Sequence, residues 1–79
     1  MDRASIHPLH DIELAAAISA AMHCDGRIPP EITVDVSDGI VTLEGENITA
    51  AQAGDAQTLV RRLVPQSKII DATRAPRFA

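Results

Sequence analysis

"ITVDVSDGIVTLEGENIT", residues 32–49, decides the fold of this 79-residue chain. Apolar and polar residues alternate on both sides of Asp38-Gly39, and an Asp-Gly pair between alternating runs is a strong hairpin signal, because a type I′ turn needs positive φ at both central positions. A two-residue turn there places Ser37 opposite Ile40, Val36 opposite Val41, Val34 opposite Leu43 and Ile32 opposite Gly45. The large apolar partners then share one face of the ribbon. Thr33 with Glu44 and Asp35 with Thr42 fall on the other, wet face. A slip of one residue would destroy this division. Gly45 is expected to leave room for a helix to approach closely.

Working outward, "DIELAAAISAAMHCDG" precedes the hairpin and is rich in Ala, the best helix former. Asp11 is its expected N-cap, and Gly26 stands just beyond an end near Cys24. Leu14, Ala15, Ile18, Ala21 and Met22 make its apolar stripe. Residues 1–10, with Pro8 and no apolar period, read as a mobile leader. Arg27–Glu31, with Pro29-Pro30, cannot continue a helix and form a loop. After the hairpin, Thr49 and Gln52 spell a capping box, with Ile48 and Ala53 as the hydrophobic staple. Ala53, Ala56, Leu59, Val60, Leu63 and Val64 line the second helix, and Pro65 stops it. Arg61 and Arg62 in its last turn favour the negative end of the helix dipole. "SKIIDAT" supplies a final strand around Ile69 and Ile70. Residues 74–79 are a tail that is disordered or docks weakly through Phe78.

The order helix, strand, strand, helix, strand predicts an α+β two-layer sandwich: a three-stranded mixed sheet with both helices packed on one face. A right-handed crossover joins the second strand to the third. Placing the third strand on the free edge of the first gives the expected sheet order 2-1-3.

Composition bounds the function. The chain is one domain that buries somewhat more than about 60% of its unfolded surface. Its only aromatic residue is Phe78, so the core is aliphatic. No segment approaches the roughly 20 apolar residues of a membrane span. The N-terminus lacks the basic-then-apolar pattern of a secretory signal, which predicts a cytoplasmic protein, or a periplasmic one only if a signal has been removed. The single Cys24 excludes an intramolecular disulfide. The net charge of −4 is unevenly spread. Residues 1–60 hold Arg3 and Arg27 against ten acids, a net of −8, whereas residues 61–79 hold Arg61, Arg62, Lys68, Arg74 and Arg77 against Asp71, a net of +4. This split suits either a surface that meets an anionic partner or a contact between copies, and equally a merely solvated basic end.

Chemistry-bearing motifs are scarce. His7, His10, His23 and Cys24 show no metal-ligand spacing, and no cofactor or metal is expected; a thiol buried at a helix end is the alternative for Cys24. Ser5, Ser19, Ser37 and Ser67 lack a nucleophile elbow. Asp35, Asp38, Glu44 and Glu46 cluster around the hairpin, but general-acid work needs a desolvated carboxyl, and Asp35 and Glu44 fall on the wet side. Nucleic-acid binding lacks its supports: basic excess, stacking aromatics and a GXXG loop.

Residues 11–73 resemble a BON domain, a small module of bacterial osmotic-stress, outer-membrane and transport-associated proteins. "ITVDVSDGIVTLEG" is similar to the family's pattern of alternation, a Gly turn, Val-Thr-Leu and a closing Gly, so that Asp38, Gly39, Val41, Leu43 and Gly45 carry the structural motif. "DIELAAAISAAMHCD" resembles the family's first helix, and Ala56, Leu59 and Leu63 fit its second. Pro65-Gln66 stands where the family commonly has Gly-Val, and Asn47 where it has an apolar residue. The resemblance implies a non-catalytic binding module that associates with phospholipid or a small ligand. The edge-rich small sheet and the charge division suggest the alternative, a module for protein interaction or self-association, as monomer or weak homo-oligomer. The basic end of the chain supplies the expected binding residues for anionic headgroups, Arg61, Arg62, Lys68, Arg74 and Arg77.

Overall fold

The computed structural model describes residues 8–77, with helix α1 at Pro8–Cys24, strands β1 at Thr33–Ser37 and β2 at Ile40–Gly45, helix α2 at Ala50–Leu63 and strand β3 at Lys68–Thr73. Most of the expected leader lies outside these residues, as does Phe78. Residues 8–10, however, are helical, so the boundary expected at Asp11 is corrected. Proline is well suited to open a helix at residue 8, because its missing N–H would find no intrahelical partner there and its φ is already set. Asp11 therefore lies inside the first turn instead of capping it. Its Oδ2 accepts instead from the backbone N–H of Asp38, 3.0 Å away, and ties the helix to the hairpin turn.

The hairpin forms in the expected register, from Thr33–Glu44 at its open end to Ser37–Ile40 at the turn. Asp38 and Gly39 both take positive φ, 54° and 79°, as a type I′ turn requires. Val36, Val41 and Leu43 are buried, with Val41 and Leu43 wholly inaccessible, whereas Thr33, Asp35 and Glu44 are exposed. Thr49 and Gln52 close the capping box at 2.9 and 3.1 Å, and Ile48 and Ala53 are buried in the same core cluster. Ile18 and Met22 from α1 join Ala53, Ala56 and Val60 from α2 against the inner face of the sheet, giving the two-layer α+β sandwich.

Strand order departs from expectation. The sheet runs β1-β2-β3, with β2 central and β3 parallel to it, Val41 opposite Ile69 and Leu43 opposite Asp71. The physical reason is the place of α1, which packs on β1. A crossover that put β3 beyond β1 would have to pass over that helix. The short run from Gly45 to Thr49 and the turn after Leu63 instead bring the chain back beside the strand it left.

Gly45 also departs from expectation in what it admits. A Cβ there would sit 2.9 Å from the carbonyl oxygen of Glu31, 3.1 Å from Ile48 Cγ1 and 3.3 Å from Ile32 Cα. The close approach is the chain entering β1 and the staple residue before α2, not a helix.

Candidate functional site

The five expected cations fall into two groups. Arg61 and Arg62 occupy the last turn of α2, and Lys68 opens β3 after a turn in which Ser67 donates both its N–H and its hydroxyl to the Val64 carbonyl. Arg74 follows β3 at its other end, with Arg77 three residues further. Six residues of extended chain separate Lys68 from Arg74 by about 20 Å. One protomer therefore does not bring all five together.

The two groups differ in their surroundings as well. Arg74 Nε lies 3.6 Å from Glu46 Oε2, an exposed pair of small energetic weight. In the loop after α1 the Asp25 carboxyl is held below the usual range by the Arg27 backbone N–H and then the Arg27 side chain, whose Nε donates to Asp25 Oδ1 at 3.3 Å, with the Arg62 charge a lesser cause. Arg61 lies on the flank of α2 that leads toward β3. Beside these cations, in the same last turn, Leu63 is 50% exposed.

A polar knot at the middle of β3 was not foreseen. Asp71 lies on the inner face of the edge strand, where Oδ1 accepts from the Thr73 hydroxyl and backbone N–H and Oδ2 accepts from Gln57 Nε2 at 3.1 Å. These bonds, the Thr73 hydroxyl first and its N–H second, hold the carboxyl below its ordinary value. The Asp-x-Thr spacing was the available signal, since such side chains bond the backbone two residues on. The Gln57 contact had none, because it depends on how α2 lies over β3.

Elsewhere, a cleft of about 220 Å³ is lined by Met22, His23, Ile28, Pro29, Pro30 and Ile32. It is smaller than the roughly 300–1,000 Å³ of ordinary ligand pockets. His23 Nδ1 donates to the Ser19 carbonyl at 3.0 Å, and Cys24 is exposed, which corrects the buried-thiol alternative. Among the described residues, no group of three or more His, Cys, Asp or Glu side chains is placed to hold a metal ion, and no helix is long and apolar enough to cross a membrane. Neither a protein-family model nor a curated protein matches the chain.

Proposed function

We propose that the chain is a non-catalytic, BON-like binding module that associates with anionic phospholipid headgroups through the end of α2 and the start of β3. The observation that carries this reading is that three cations, Arg61 and Arg62 in the last turn of α2 and Lys68 at the start of β3, flank the end of α2 where Leu63 is half-exposed. Cations at the same end of the molecule as an exposed aliphatic side chain suit an interface that is charged outside and apolar beneath. Each basic residue near an anionic leaflet contributes about 1 kcal/mol, so three give a weak, salt-sensitive attachment. The αββαβ sandwich supports the BON-like part of the proposal, since it is the fold that the hairpin and helix motifs imply. Flotation with phosphatidylserine-containing and with neutral phosphatidylcholine vesicles tests it. The protein should float with the anionic vesicles alone, and a variant carrying Arg61→Gln, Arg62→Gln and Lys68→Gln should not. Equally negligible binding to both vesicle types overturns the lipid reading.

The second reading, self-association, is favoured by a different feature, the open edge of β3.

A further inference from the structure

We infer that β3 pairs edge to edge with β3 of a second copy, antiparallel about a two-fold axis through Ile70, giving a continuous six-stranded sheet. Among the described residues β3 pairs only with β2. Arg74 donates its N–H to Gly45 O and accepts from Ile48 N–H, so its backbone groups turn toward β2. Strand alternation then turns Lys68, Ile70 and Ala72 the same way, and aims the N–H and C=O of Ile69, Asp71 and Thr73 out to the free edge. Two nearby donors are already spent: Thr73 N–H on the Asp71 carboxylate and Ser67 N–H on the Val64 carbonyl. The edge therefore offers Ile69 and Asp71 as its complete donor–acceptor pairs.

Only one two-fold register uses both. Centring the axis on Ile70 sets Ile69 opposite Asp71 of the partner subunit and the reverse, each pair exchanging two main-chain hydrogen bonds. Centring on Ile69 would call on the spent Ser67 N–H. Centring on Asp71 would call on the spent Thr73 N–H and set two carboxylates directly opposite.

The side chains agree with the chosen register. Ile70, 43% exposed on the open face, meets its own symmetry mate. Lys68 faces Ala72 of the partner subunit, and beyond that short side chain lies Glu44 of the partner subunit, since Glu44 and Ala72 are neighbours across β2 and β3. Two strand spacings are roughly 10 Å, which Lys and Glu span together. The arrangement thus adds two symmetric opposite-charge contacts. Above the edge, Gly54 is exposed with nothing within 4 Å of a Cβ position, leaving space for the neighbouring α2. The two Asp71 residues lie on a diagonal, their Cα atoms roughly 7–8 Å apart, each carboxylate already held by Gln57 and Thr73 of its own chain.

Because the paired strands run in opposite directions, each end of the dimer sets the Lys68 end of one β3 beside the Arg74 end of β3 of the partner subunit. Cations that one chain holds about 20 Å apart are thereby brought to the same end of the sheet. That consequence for headgroup binding rests on the lipid reading; the pairing itself does not.

The register is tested by crosslinking in a Cys24→Ser background. Directly opposed, non-hydrogen-bonded residues have Cα atoms about 4.5 Å apart, within the range a disulfide spans. Ile70→Cys should therefore give an oxidised dimer. Lys68→Cys and Ala72→Cys should each stay monomeric alone and crosslink only when mixed. Ile70→Lys, at an exposed position, should leave the circular dichroism unchanged and weaken association at least about tenfold by sedimentation equilibrium. A monomer at every concentration, or crosslinking through Lys68→Cys alone at the efficiency of Ile70→Cys, overturns the proposal. Crosslinking without vesicle flotation would leave the dimer standing and remove the lipid reading.

Discussion

The two helices lie on the same sheet but are secured differently. Helix α2 carries its own start, the Thr49–Gln52 capping box, and sends Ala53, Ala56 and Val60 into the core from one stripe. Helix α1 is long and rich in alanine, with Ile12 64% exposed and Ile18 and Met22 its only buried large side chains among those described. Its first turn is fastened by a tertiary bond, from Asp38 N–H to the Asp11 carboxylate. One helix is specified mainly by its neighbours in sequence, the other by what it lands on. Intrinsic propensity makes α1 helical, but docking decides where it lies.

The sharpest way to break this contrast is Ile18→Ala. Ile18 is wholly buried, and its truncation should cost about 2–5 kcal/mol in urea unfolding, freeing α1 from β1. A loss under 1 kcal/mol would mean that α1 is not part of the cooperative core. Next comes Gly45→Ala, which drives a Cβ against the Glu31 carbonyl oxygen and should cost about 1–3 kcal/mol as overpacking. Thermal unfolding of this variant distinguishes the close approach from mere turn preference, because Gly45 does not have positive φ. Thr49→Ala removes the local cap of α2 and should cost about 1 kcal/mol. Asp11→Ala removes the tertiary fastening of α1 and should cost about 0.5–1.5 kcal/mol. Its amide-exchange signature should differ, with faster exchange at Asp38 N–H and the start of α1, whereas Thr49→Ala loosens the start of α2.

The smallest expected effect is a pH dependence. The Asp71 carboxyl, through the Thr73 hydroxyl and N–H, and the Asp25 carboxyl, through the Arg27 N–H and side chain, are held below the ordinary aspartate range, so the folded chain binds these protons less tightly than the unfolded chain does. Their stabilisation is fully present above about pH 4 and is lost as pH falls through the lower folded values. Asp71→Asn, which removes the carboxyl that Thr73 and Gln57 hold, should flatten the acid limb of an unfolding-midpoint series. An unchanged acid limb would assign no linkage to the Gln57–Asp71–Thr73 knot.

What was legible in the sequence follows the same division between local and distant. The Asp38-Gly39 turn fixes five cross-strand pairs because two residues decide the register of everything beside them. The capping box was legible because its partners are three residues apart. The side of the hairpin that receives β3 was not, since nothing within Lys68–Thr73 records that α1 already lies on β1. Gly45 marked a close approach correctly, but its neighbours come from Glu31, Ile32 and Ile48, which only the folded path brings together. The five cations were plain in the sequence. Their separation depends on the length of β3, which only pairing with β2 defines.

The central place of β2 also orders the assembly of the molecule in time. Its pairing with β1 needs only a two-residue turn, an event of microseconds, whereas its pairing with β3 must wait until α2 has formed and folded back. The hairpin contacts are local in sequence, whereas those of β3 span α2. Until β3 docks, β2 is itself an open edge, so the last-paired strand is also the one that closes the sheet over Val41 and Leu43.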